Sequence, residues 1–346
     1  MKTRLLTSLL AVWGMGWPTA SVHAAPLDAF LDASPAVMEG HSFVELTADR
    51  MNDALDIFKL RSESYSLETG DHKGWTLRAG RQLSPQWWMD GALQRHTLTY
   101  GVDQPQVESW RVGLQWSLGD QQGARPASAL RLSAFGNHAQ ALKKSSPSQL
   151  GQFVVDSLQV NKPRDHTVQA DAIGTWAWGP YRATGFVGAG RGQMRVDSVR
   201  ATLGGLSAIY SNGSFNHSLL NQLTEQSQLG DALRAIHDDL RMAQVGLNLA
   251  YIQGPWSWRG GYVAQHITRP AIDAVVQNKG KTSYNINHTL LGEVAYAVTP
   301  HVRLLLRGQA MSNQFLTEMP ILYNSLTSHR FKERYGLVYA GVGIRF

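Results

Sequence analysis

The chain has 346 residues, with 32 lysines and arginines against 26 aspartates and glutamates, and no cysteine. That composition excludes disulfide frameworks, thiolate metal sites and cysteine nucleophiles, and a net charge of +6 without a concentrated basic stripe argues against a dedicated nucleic-acid protein. Beyond residue 24 no stretch approaches the roughly 18 consecutive apolar residues of a spanning helix, so any passage through a membrane must be made by strands.

At the start, Lys2 and Arg4 precede an apolar run from Leu5 to Trp13, and Val22-His23-Ala24 offers small residues in a cleavage pattern. The pattern predicts a secretory signal peptide over 1–24, cut after Ala24, with 25–346 exported as a single domain. Gly14, Gly16 and Pro18 interrupt the run too early for it to span a bilayer as an anchor.

Two segments, 42–49 (SFVELTAD) and 57–67 (IFKLRSESYSL), can each be extended. From residue 75 onward one pattern repeats, of alternating apolar and polar residues in runs of strand length. "WRVGLQWSL" puts Trp110, Val112, Leu114, Trp116 and Leu118 on one face and Arg111, Gly113, Gln115 and Ser117 on the other. Runs at 75–83, 87–100, 108–118, 127–138, 166–178, 181–196, 241–252, 256–268, 285–298, 301–312 and 334–346 are predicted strands. Their connections alternate between tight, Pro-bearing turns (83–86, 178–181, 253–256, 298–301, with 119–126 slightly longer) and long polar loops (101–107, 139–165, 203–239, 274–284, 313–332). This rhythm predicts an all-β, transmembrane, antiparallel up-and-down barrel of about twelve strands, because such barrels have an even strand number with short turns at one end and long loops at the other. By that parity only one of 42–49 and 57–67 spans. Within the loop at 203–239 and into residue 242, Leu219, Leu220, Leu223, Leu229, Leu233, Ile236 and Leu240 recur at helical spacing and predict a short helical segment.

The last ten residues, LVYAGVGIRF, alternate to the final atom, with Val338, Ala340, Val342, Ile344 and Phe346 on one face. Tyr339, Gly341, Ile344 and Phe346 match, position for position, a pattern that resembles the carboxy-terminal assembly signal of Gram-negative outer-membrane β-barrel proteins. The resemblance implies an outer-membrane location, lipid on the apolar face, and the barrel-assembly machinery as a partner. Aromatic residues are placed as two interfacial belts: Trp87, Trp88, Trp178, Tyr181, Trp256, Trp258 and Tyr296 beside the short turns, and Trp75, Tyr100, Trp110, Tyr284 and Tyr335 near the loops.

If the apolar face meets lipid, the other face lines the lumen. It carries Arg78, Arg111, Arg131, Arg182, Arg259, Arg303, Arg307 and Arg345, opposed by Asp90, Asp171 and Glu293. An arginine ring fits porin-like passive permeation of small anionic solutes; the same residues paired with acids would instead fill a barrel that conducts nothing. Two alternatives remain: a surface or assembly barrel whose loops at 139–165 and 313–332 bind a partner, and a lipid-modifying enzyme. For the enzyme, Ser211-Asn212-Gly213 resembles part of the His-x-Ser-Asn-Gly motif of a membrane phospholipase, but Ile209 stands where the histidine belongs, and a serine without a base is not activated. His217 and Ser218 adjoin in a loop, and His138, His266 and His288 lack metal-ligand spacing. No catalytic residue, metal or cofactor is expected.

Overall fold

The computed structural model describes residues 30–51, 72–98, 102–145, 147–150, 153–218, 220–221, 233, 237–278, 280–312 and 334–346. The predicted signal peptide, the segment 57–67 and the loop 313–332 lie outside them.

Twelve strands close into one barrel. In chain order they are β1 (Ser42–Met51), β2 (His72–Ser84), β3 (Trp87–Leu98), β4 (Gln106–Gly119), β5 (Ala127–His138), β10 (Arg164–Trp178), β11 (Tyr181–Arg195), β15 (Asp238–Gln253), β16 (Trp256–Thr268), β17 (Ile286–Ala297), β18 (Val302–Ser312) and β19 (Arg334–Arg345). Every strand pairs antiparallel with its chain neighbours, and β19 pairs with β1 from Phe43↔Arg345 to Met51↔Leu337. Backbone bonds in both directions between Ser42 and Phe346 finish the seam. The first strand is therefore the segment at 42–49, extended to Met51. Closure leaves no edge, which is what allows a sheet to stand in hydrocarbon.

The alternation decides which side chains face outward. Val112, Leu114, Val187, Leu247, Leu290, Leu306, Val338, Val342 and Ile344 are exposed, and so is Phe346 at 69 %. The inward positions are polar and buried: Glu45, Gln94, Arg111, Gln115, Gln169, Thr184, Gln244, Asn287 and Gln309. This inside-out distribution is that of a transmembrane barrel, where lipid rather than water wets the exterior. Trp87, Trp178, Tyr181, Trp256, Trp258 and Tyr296 stand exposed beside the short turns, and Trp75 is exposed toward the loop end. Two belt assignments are corrected. Trp88, one residue out of phase with Trp87, points inward and stacks on Phe43, and Tyr284 packs against a core inside the loop-end mouth. The side chains of Tyr100 and Tyr335 lie outside the described residues. At the turns 178–181 and 253–256, Gly179 and Gly254 have φ of 57° and 58°. A glycine at positive φ followed by proline at negative φ has the sign pattern of the type II′ turn, whose twist suits a hairpin.

At the long-loop end the chain continues as a second sheet. β6 (Ala141–Lys144), β9 (Ser157–Asn161), β12 (Ser198–Leu203), β13 (Leu206–Ser211) and β14 (Ser214–Phe215) pair in the order β14-β13-β12-β9-β6, and β7 (Ser148–Leu150) with β8 (Phe153–Val155) forms a small hairpin. Val199, Ala201, Ala208, Tyr210 and Phe215 give this sheet its own core, onto which Leu220 and Leu233 pack. The loops predicted at 139–165 and 203–239 are thus partly strand. The predicted helix over 217–242 falls mostly outside the described residues. Ser218, Leu220, Asn221 and Leu233 have helical backbone, but Leu240 belongs to β15, which begins at Asp238. Two helices are described: α1 (Ala36–Glu39), ahead of the first strand, and α2 (Pro270–Asn278), in the connection from β16 to β17.

Candidate functional site

The site is the lumen itself, because it holds the buried charges. Residues 30–41 turn into the barrel at the short-turn end before β1 begins. The backbone of this segment is held by inward side chains from across the wall: Asn248 donates to the Leu31 carbonyl at 2.7 Å, Gln115 to that of Asp32 at 2.9 Å, and the Ala33 N–H donates to Thr175 Oγ1 at 2.9 Å. Phe30, Leu31 and Ala33 pack on Ala127, Ala129, Ile173, Phe186, Val263 and Leu291. The segment leaves through Gly40, at φ 79° and ψ −179°, a conformation essentially restricted to glycine.

Two carboxylates of this plug meet the lumenal arginines. Arg182 binds Asp32 through two bonds of 2.9 and 2.7 Å. Glu39 accepts from Arg259 at 2.9 Å and from Arg303. Around it a cage forms. Glu45 bonds Arg78 (3.3 Å), Arg303 (3.0 Å) and Arg307 (3.1 Å), while Glu293 bonds Arg307 at 2.6 Å and Arg259 Nε at 2.8 Å. Arg303 and Arg307 are only 2 % and 1 % exposed. Arg259 also lies over the Phe30 ring, 4.7 Å from its centroid. Burial alone would raise the Glu39 carboxyl, but the guanidiniums of Arg303, Arg259 and Arg78 outweigh it and hold Glu39 well below the usual carboxylate range.

The remaining predicted lumen residues divide. Arg131 forms a forked pair with Asp90 at 2.7 and 2.8 Å, with Trp88 Nε1 donating to the same carboxylate at 2.9 Å. Arg111 donates to Ser133. Asp171 stands directly opposite Arg131 in the β5–β10 register, but Arg131 forks onto Asp90 and Asp171 accepts from Gln169 and Gln244, at 2.8 Å each. Arg345 sits at the short-turn rim beside Gly40 and makes no ion pair among the described residues. The expected arginine-lined wall is present, but the guanidiniums of Arg78, Arg131, Arg182, Arg259, Arg303 and Arg307 are occupied by carboxylates. Asp32, Glu39 and Glu45 supply much of that charge. Glu45 was legible as an inward position once 42–49 is taken as a strand; Asp32 and Glu39 lie in a segment with no periodicity to assign them.

The long-loop end is filled by a different material. Ile272 and Val276 of α2 pack on Val107, Met194, Ile267, Met311, Leu337 and Tyr339 from strands around the ring and on Leu142 of β6. The helix is started by the Asp238 carboxylate, which accepts from the N–H groups of Ala271 and Ile272 at 3.1 and 2.9 Å. Between the plug and the wall, a cavity beside Phe30, Glu39, Arg111 and Arg259 measures about 60 Å³, room for a few waters.

The serine triplet takes a structural role. Ser211 pairs with Ser214, and Asn212 and Gly213 have φ of 51° and 90°, the paired positive φ values of a type I′ Asn-Gly hairpin. It therefore turns β13 into β14, and no metal-holding cluster of histidines and acids occurs among the described residues.

No protein-family model matches the sequence, and comparison with curated proteins finds no match. Among solved structures the chain is similar to the translocator domain of the autotransporter NalP from Neisseria meningitidis (10 % identity, TM-score 0.48, covering 100 % of this chain and 95 % of that one). It is similar to the NanC porin (7 %, 0.45, 88 % and 100 %) and to outer membrane phospholipase A from Escherichia coli (11 %, 0.35, 88 % and 92 %). Likeness at this level carries no inference about activity.

Proposed function

We propose that this chain is an outer-membrane barrel that rests in a closed, non-enzymatic state and presents the sheet of β6, β9, β12, β13 and β14 as an exterior interaction surface. One observation carries this reading: Phe30–Glu39 is seated in the lumen with Asp32 on Arg182 and Glu39 on Arg259 and Arg303. A standing pore for anionic solutes needs guanidiniums that face water and exchange ligands; here carboxylates hold them. The separate core of the exterior sheet supports a display role, since a mere connection between strands has no need of one. The lipid-facing belt supports the membrane location, and the exposure of Phe346 after β19 supports a role for it as the residue that the barrel-assembly machinery recognises.

A second reading follows from the same contacts. Withdrawal of residues 30–41 would remove Asp32 and Glu39 and leave Arg182, Arg259 and Arg303 with fewer acids than charges, so an opened barrel would favour small anions. Planar-bilayer recordings test both readings. Near-silent wild-type protein is expected, with anion-selective conductance once residues 30–40 are deleted together with 270–278, the helix that fills the other mouth. Steady wild-type conductance would overturn the closed state, and silence of the deletion variant would overturn the gated channel. Deleting 198–215 should abolish whole-cell partner binding with conductance unchanged; retained binding would remove the display role.

A further inference from the structure

On the outer face, Arg191 of β11 stands directly opposite Arg241 of β15. Both are exposed, and neither makes an ion pair among the described residues. Two residues further up, the face carries Gln193 opposite Asp239, and next to it Arg195 lies opposite Arg164, whose charge is met by Asp197 at 2.7 Å. Like charges directly opposed on a sheet repel and destabilise it. An arrangement that persists therefore calls for an anion between them, and phosphate, taken by two guanidinium forks, is the best match.

Depth says where that phosphate comes from. Arg191 lies ten residues along β11 from the belt residue Tyr181, a rise of about 25 Å for a tilted barrel strand, which is the height of the apolar band. The pair thus sits at the upper edge of the hydrocarbon, level with headgroups. Directly below it the outer wall is made of small residues. Ala189 pairs with Ala170, and Val187 with Ala172. These side chains form one end of an outward-facing trough of about 680 Å³ that continues over Leu130 and Leu132 of β5 to Leu114, Trp116 and Trp87. An apolar trough that begins at Ala189, two residues below the clamp, suits the acyl tails of a lipid whose phosphate the clamp holds.

We infer that Arg191 and Arg241 clamp the phosphate of an anionic membrane lipid whose acyl tails occupy the trough over Ala170, Ala172, Val187 and Ala189. The inference rests on the membrane orientation proposed above but not on whether the barrel conducts.

Native mass spectrometry of the full chain in detergent, titrated with phosphatidic acid, tests it. Arg191→Ala/Arg241→Ala should weaken phosphatidic acid binding by at least about tenfold, since two charge-assisted contacts are lost. Arg191→Lys/Arg241→Lys, which keeps charge but loses the forks, should fall between and covers the case in which the alanine variant fails to fold. Arg50→Ala, an exposed basic residue elsewhere on the rim, should bind as wild type, and Ala172→Phe, which fills the trough, should weaken binding. Diacylglycerol with the same tails should bind poorly, and equimolar inorganic phosphate should not displace the lipid. Unchanged binding in the double alanine variant overturns the site. So does an equal loss in Arg50→Ala, which would indicate general surface charge, or displacement by inorganic phosphate, which would indicate a free-anion site. Conductance of the same samples separates this result from failure of the closed-barrel reading.

Discussion

Glu39 and Arg303 are hydrogen-bonded to each other across 264 residues of chain, and this contact ties the segment before the first strand to the wall beside the last. Because Arg259 also keeps Glu293 and Arg303 also keeps Glu45, Glu39→Ala leaves neither guanidinium bare. The cost should lie near the low end for breaking a buried pair, about 3 kcal/mol, and it should fall on the plug rather than on the barrel. Limited proteolysis is expected to cut within 30–41 in the variant and not in the wild type, with strand content by circular dichroism unchanged.

The same pairing sets the response to acid. A carboxyl whose native pKa is depressed contributes stability that is complete above its unfolded value, about 4.3 for glutamate, and that is lost as pH falls through the native value. Glu39 is held well below the usual range, so the plug should stay seated from pH 7 to about 4 and release only in stronger acid. Limited proteolysis stepped downward in pH with an acid-active protease checks this: cutting within 30–41 near pH 5 would contradict it.

Gly40→Ala should loosen the plug without touching its charges. The backbone there sits at φ 79° and ψ −179°, and a side chain in that region costs about 1–3 kcal/mol. Arg345 is no obstacle, since its Cβ would lie 3.5 Å from the added methyl. Faster proteolytic cutting within 30–41 with unchanged thermal unfolding of the barrel is expected.

Leu306, 57 % exposed in the middle of β18, tests the lipid-facing exterior. Leu306→Arg should destabilise the folded barrel in bilayers by about 2–4 kcal/mol, the cost of a cation at the midplane, as read by urea titration in vesicles. Leu83→Arg, at the short-turn end of β2, should cost about 1 kcal/mol or less. Equal effects at the two depths would argue that water, not hydrocarbon, covers this face.

Ser211→Ala should leave any measured lipid turnover unchanged, because the triplet is a hairpin turn without a base. Gly213→Ala should disturb the exterior sheet, since φ there is 90°. Phospholipid hydrolysis by refolded protein that disappears in Ser211→Ala would restore the enzymatic reading.

The barrel strands from residue 75 onward, their alternating faces and the closure of the last strand on the first were legible in the sequence because they rest on a period of two, whereas the choice of 42–49 over 57–67 and the strands of the second sheet were not. A one-residue shift would turn Val342 and Ile344 into the lumen and Glu45 into lipid. The arginine lining was legible for the same reason. The lumen's contents were not. Asp32 and Glu39 lie in a segment without periodicity, and α2, whose Ile272 and Val276 fill the mouth, spans too few residues for its helical spacing to stand out from a polar loop. Local alternation thus determined the wall, since each strand solves its own problem of lipid on one side and polar neighbours on the other. What occupies the interior was decided only by the closed ring, which brings Arg182, Arg259 and Arg303 from separate strands around one volume and so creates the charge that Asp32 and Glu39 enter to neutralise.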